Sequence, residues 1–348
     1  MAFINAKDNF KVKLYTGNSG TQAITGVGFQ PDFTWIKNRT DSNNQSHVLY
    51  DAVRGVTKYL SSNSSAAEGT EAAGVTAFGT DGFTVGNTVT VNTAFNYLSW
   101  NWKAGTGQGS SNTDGSTNTI YTSANAAAGF SMSTYAGSGS NATVGHGLGK
   151  PPKMIWIKST TNAEQWVVGH SNMDDNPADS WQYYMHLQDN VVRASAVDRW
   201  QNTLPTNDVF SLGSESQVNG SGKTYIAYCW SEIPGYSAFG MYKGQGNANG
   251  PICITGFKPA WVLVRNASVQ NNWFIQDSER LGYNPQNQLS KPNNSGVDDT
   301  GTHVDLLSNG FKVKNSSANN NGSGNYMIYA AFAKAPAVGA NNVPCTAR

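Results

Sequence analysis

The stretch GFQPDFTWIKNR, residues 28–39, decides the fold, because the chain writes it three times. Residues 149–159 read GKPPKMIWIKS and residues 256–266 read GFKPAWVLVRN. In each copy a glycine stands three residues before a proline and a cation six residues after it: Gly28, Pro31 and Lys37; Gly149, Pro152 and Lys158; Gly256, Pro259 and Arg265. Glycine and proline make a turn, and the residue before a proline is driven to extended geometry, so the chain leaves the turn as a strand. That strand is apolar on both sides. Phe33 and Trp35 stand opposite Thr34 and Ile36, Met154 and Trp156 opposite Ile155 and Ile157, and Trp261 and Leu263 opposite Val262 and Val264. A strand apolar on both faces belongs in the middle of a sheet. The closing cation is expected to emerge at the sheet end with its stem packed on the indole or leucine.

The repeat extends in both directions. Each copy opens with a tyrosine two residues before a glycine (Tyr15, Tyr135, Tyr242) and closes with DGFTV (81–85), DVFSL (208–212) or NGFKV (309–313). An aromatic ladder follows: Tyr97, Trp100 and Trp102; Tyr225, Tyr228 and Trp230; Tyr326, Tyr329 and Phe332. Between these marks, apolar and polar residues alternate in short runs broken by Gly, Asn, Ser and Pro, and no sustained helical stripe appears. The expectation is an all-β protein of three tandem antiparallel β-sandwich repeats with jelly-roll-like or lectin-like connections. Their bounds are 14–104, 134–231 and 241–334. Residues 105–133 read as a Gly/Ser/Asn-rich linker and 232–240 as a short one stiffened by Pro234, so the second and third units should couple more tightly than the first and second. Residues 1–13 and 335–348, polar and irregular, read as an N-terminal docking arm and a C-terminal tail.

Composition narrows the function. Charged residues make up 13% of the 348 and the net charge is +1, leaving no field to recruit nucleic acid or an anionic membrane. No apolar run reaches the length of a membrane span, and the N-terminus has no signal-peptide core, so a cytoplasmic origin is expected. The cysteines, Cys229, Cys253 and Cys345, are odd in number and lack CxxC spacing. They read as reduced, two buried and one in the tail.

Candidate chemistry is sparse. Asp51 and Asp277 occupy matching places in the strand after the repeated phrase, each followed three residues later by an arginine (Arg54, Arg280). Paired with Lys37 and Arg265 they read as structural ion pairs, since charges at sheet ends tie strands together. The second copy has His170 at this place. Five histidines lie at no metal-ligand spacing, and no hydrolase or nucleotide motif is present, so no catalytic residue, metal or cofactor is assigned. The insertion at 171–200 concentrates Asp174, Asp175, Asp179, Trp181, Tyr183, Tyr184 and Trp200. Sugars stack on exposed aromatics while carboxylates bind hydroxyls, so these residues are the candidates for carbohydrate binding. The same aromatics could equally pack the insertion onto its own sandwich. The Asp pairs at 174–175 and 298–299 are candidates for calcium.

The ordered succession YTGN, GFQPDFTWIKNR, HVLYDAVRGVTKYLSSN, DGFTVG, VGHGLGKPPKMIWIKS, VFSLGSESQVNGSGKTYIAYCW, GYSAFGMYKGQGNANGP, TGFKPAWVLVRN and LLSNGFKVK resembles a family of repeat-containing virion proteins of tailed bacteriophages of aquatic bacteria, including cyanophages. The resemblance runs from about residue 14 to 334. It implies a place on the virion surface, as capsid decoration or a tail appendage or fibre subunit, and it carries over no catalytic residue. The expected function is therefore a non-enzymatic structural part contributing to host attachment. The expected partners are other virion proteins, further copies of the chain in a closed assembly such as a trimer, and a host-surface glycan. The alternatives are a lectin-like adhesin and a polysaccharide-degrading enzyme.

Overall fold

A computed structural model describes residues 4–281 and 283–334. The three copies of the phrase form strands Phe33–Asn38, Met154–Ser159 and Pro259–Asn266, and every residue in them is buried, as two apolar faces require. Each pairs antiparallel on one side with the strand that follows it and on the other with a late strand of its own segment.

The resulting sheets share an order. The first runs Phe10–Thr16, Asn96–Trp102, Phe33–Asn38, Val48–Asp51, and then two short strands. The second contains Phe130–Ala136, Thr224–Trp230, Met154–Ser159 and Val167–His170 in the same sequence, and the third Ser237–Lys243, Tyr326–Ala333, Pro259–Asn266 and Trp273–Asp277. Smaller antiparallel sheets accompany them: Gln22–Ile24 with Gly82–Val85 and Val75–Gly79; Ala142–Gly145 with Val209–Leu212; and a four-stranded sheet from Ile252–Ile254 to Gln286–Leu289. The protein is all-β, built of several antiparallel sheets.

The registers match as well. Phe33 faces Trp102, Met154 faces Trp230 and Trp261 faces Phe332. Counting along these strands puts Ala330 level with Trp100 and Tyr228, and Met327 level with Tyr97 and Tyr225. The third ladder is thus Met327, Ala330 and Phe332, and the Tyr326, Tyr329 and Phe332 reading is corrected. Side chains change face at every residue of a strand, so a spacing of six in place of five turns Tyr326 to the opposite face. Tyr329 turns outward and meets Phe311 edge-on at 5.1 Å.

The inner faces of the three large sheets meet in one core. Trp35 lies 5.6 Å from Trp156, Trp102 lies 6.4 Å from Trp230 and 5.7 Å from Trp261, and Trp100 lies 6.5 Å from Trp261. The segments therefore bury their indoles against each other. The outer face of the first large sheet packs Ile36, Val48, Tyr50 and Tyr97 on Val75, Phe83 and Val85 of its small sheet. The second does the same with Ile155 and Ile157 on Phe210 and Leu212.

Three boundaries are corrected. In the expected docking arm, Ala6, Phe10 and Val12 are buried and Phe10 stacks on Phe332 at 5.2 Å. Within 105–133, strand Thr119–Asn125 pairs with Phe130–Ala136, and Thr117 bridges to Val144. Ahead of it Asp32 accepts hydrogen bonds from the amides of Ala104, Thr106 and Gly107 at 2.7, 3.1 and 2.8 Å. A Gly/Ser-rich composition reads as a free link, yet here neighbouring groups take up its backbone hydrogen bonds and part of it forms a strand. Ser237 already begins a strand, which shortens the second linker. Cys229 and Cys253 are free and buried, and burial pushes the Cys253 thiol up to about 12. The tail 335–348, with Cys345, lies outside the described residues.

Candidate functional site

Asp51 sits opposite Phe33 and Asp277 opposite Trp261, both at the start of the phrase strand, whereas Lys37 and Arg265 stand near its end. In an antiparallel pair these are opposite ends of the hairpin, so the expected Lys37–Asp51 and Arg265–Asp277 pairs do not form. Each acid instead holds the arginine three residues on. Arg54 Nε meets Asp51 Oδ2 at 2.6 Å and its Nη1 meets Glu68 at 3.2 Å; Arg280 Nε meets Asp277 Oδ2 at 2.9 Å and its Nη1 meets Asp298 at 3.0 Å. Nη2 donates in both to a strand carbonyl at 2.9 Å, Leu49 O or Ile275 O. Burial opposes the charge of Arg54, but Asp51, Tyr228 and Glu68 outweigh it and raise the guanidinium above its ordinary range.

The strand-end cations do not emerge into water. Lys37, Lys158 and Arg265 are buried and their heads are held by carbonyls: Gln45 and Ser295 for Lys37, Ser159 and Asn162 for Lys158, Val191 for Arg265. Burial lowers Lys37 and Lys158 to about 8 and Arg265 to about 10. The Arg265 guanidinium lies 5.4 Å above the Trp273 ring, which compensates part of the lost hydration.

Matched positions of different segments touch in turn. Tyr228 of the second segment donates to Asp51 of the first at 2.6 Å, and Trp100 of the first donates to Asp277 of the third at 3.3 Å. The remaining seam has His170, whose Nδ1 accepts from the Asn172 amide, leaving Nε2–H to donate to Tyr329 O of the third at 3.2 Å. The ladder position here is Ala330, which has no group to offer, so the backbone serves. A second ring repeats the pattern: Trp166 Nε1 donates to Ser61 O and Trp273 Nε1 to His186 O, both at 2.9 Å. The matching His47 lies against the Lys291 backbone with its Nε2 outside hydrogen-bond geometry. Arg39 and Asp298 add an ion pair at 2.6 Å across the seam between first and third segments.

His170 gives this arrangement an acid sensitivity. Burial, reinforced by Lys153 and partly offset by the Tyr329 carbonyl, depresses it from 6.5 to about 4. Between those values the unfolded chain binds a proton that the folded chain refuses. Stability is therefore full above pH 6.5 and falls as pH drops, by on the order of 3 kcal/mol for the whole shift. His170→Gln, which keeps a donor, should remove about that much of the loss between pH 6.5 and 4 in urea titrations. An unchanged pH profile would show that His170 is not buried neutral.

The insertion places its candidates in contact with one another. Trp181 and Trp200 are 2% and 1% exposed, and their rings meet nearly perpendicular at 5.3 Å. A side chain on Gly169 would strike both indoles, so together they cover the sheet where the first segment carries Tyr50. Neither can stack on a sugar, and the carbohydrate reading of this pair is corrected. Arg193 covers Tyr183 at 4.3 Å and Arg199 covers Tyr184 at 4.5 Å. Asp174 pairs with Arg193 at 3.0 Å, Asp179 accepts from Asn176 and Gln182, and Asp175 accepts from Tyr326 of the third segment at 3.0 Å. At the other Asp pair, Asp298 is held by Arg39 and Arg280, and Asp299 by Lys291 at 2.5 Å, so protein cations stand at this candidate calcium position. Among the described residues no group of three or more His, Cys, Asp and Glu is arranged to hold a metal ion.

Sequence reasoning missed the cross-segment partners Trp100, Tyr228 and Tyr329. The arginine at a fixed spacing after each acid was the available signal for the ion pairs.

Residues 5–336 match the sequence model of a domain of unknown function (DUF7483), and the chain belongs to that family. No curated protein and no solved structure matches it significantly.

Proposed function

We propose that this member of the DUF7483 family is a non-enzymatic structural subunit of a bacteriophage particle, carried on the virion surface as capsid decoration or as part of a tail appendage. Its body is three tandem sandwich units, each a large sheet covered by a small one, closed around a common core. The observation that carries this reading is where the recurring polar side chains are used. The acids, arginines and indoles at matched positions join one segment to the next, so the repeated part of the sequence makes a rigid block. The buried aromatic core serves the same end, and the order of its phrases resembles surface proteins of tailed phages.

Because each segment already meets the other two, further copies or other virion proteins would meet its outer faces. Quantitative mass spectrometry of purified particles tests the reading: the chain should be present at a fixed copy number, high for head decoration and low for a tail part. Absence from particles would overturn it, as would turnover of a host polysaccharide abolished by one Asp substitution.

A further inference from the structure

The same cleft recurs in the three segments and is treated differently in each. It lies between the strand after the phrase and the small outer sheet, at the position of Tyr50, Gly169 and Gln276, which face Thr34, Ile155 and Val262 in matching registers. In the second segment, Trp181 and Trp200 fill the space over Gly169. In the third, Gln276 donates to Gln286 O at 2.6 Å and accepts from the Val304 amide at 2.9 Å, and His303 stacks on Phe274 at 4.8 Å, leaving about 10 Å³. In the first segment the Tyr50 side chain takes that place, and a cavity of about 200 Å³ remains beside it.

We propose that this open cleft, lined by Gln45, Ser46, Tyr50, Tyr59, Glu71 and Thr90, binds one neutral sugar ring. The half-buried Tyr59 ring in its wall offers an apolar face for ring C–H groups. Around it stand hydroxyls, an amide and one carboxylate, the mixture of donors and acceptors that sugar hydroxyls require. The lining includes the Glu71 carboxylate and no cation, which favours a neutral sugar over an acidic one. Glu71 also accepts from the Ala73 amide at 3.2 Å, which fixes its direction and would survive replacement by glutamine.

The inference goes beyond the structural role and stands apart from it. Failure to bind sugar would leave the particle reading intact, and absence from particles would leave this site untouched. The test is ligand-observed NMR on the full chain with the methyl glycosides of glucose, galactose, mannose and N-acetylglucosamine, each at about 10 mM, where weak binding registers. At least one should bind. Glu71→Gln should weaken that sugar by at least about tenfold, as loss of a charged acceptor implies, and Ser46→Phe should abolish binding by filling the cleft. Melting curves check that each variant folds. Silence with all four sugars overturns the proposal, as does binding that persists in either folded variant.

Discussion

Arg280→Met should lower the unfolding free energy by about 3–5 kcal/mol, the cost of leaving a buried charge without its partner. The Asp277 and Arg280 side chains are both fully buried, and the guanidinium also holds Asp298, Ser290 Oγ and Ile275 O. Removing the cation strands Asp277 in the interior beside Trp100. The double variant Asp277→Asn/Arg280→Met should recover most of the loss, because both charges are then gone. Guanidinium denaturation of the two variants decides the matter. A single-variant loss below about 1 kcal/mol would mean that water reaches the pair. Arg54 should behave alike, since it repeats the geometry at Asp51 and adds the Tyr228 hydroxyl.

The second large effect is expected at Trp102. Its ring contacts Phe10 and Phe33 of the first segment, Phe130 and Trp230 of the second, and Trp261 and Phe332 of the third, at centroid distances from 4.9 to 6.4 Å. Trp102→Ala should cost about 3–5 kcal/mol in lost burial and cavity formation. Its more telling consequence concerns cooperativity. If the three segments share a core, the variant should still unfold in one transition, with all three loosened together. Calorimetry that resolves one weakened segment beside two unaffected ones would show separate cores and refute the closed arrangement.

Much of the candidate chemistry was visible in the sequence as residue types without partners. Asp51, Asp277 and their arginines stand out by repetition, but which cation each acid holds depends on hairpin direction, and the strand-end lysine falls at the wrong end. Trp181 and Trp200 look like sugar platforms in a polar insertion. Only the missing side chain at Gly169 reveals that they cover a sheet. The cleft at Tyr50 could not be read at all, because it is defined by what the other two segments place there.

The sequence by itself determined the local elements: strands, turns, their threefold repetition and the central place of the Gly–Pro-led strand. These follow from side-chain alternation and backbone preference, which act over a few residues. Tertiary structure alone decided that the segments close on each other, that Ala330 stands where Trp100 and Tyr228 do, and that buried cations end on carbonyls. Those outcomes rest on pairing register and on contacts between residues far apart in the chain, where a shift of one position moves a side chain to the other face.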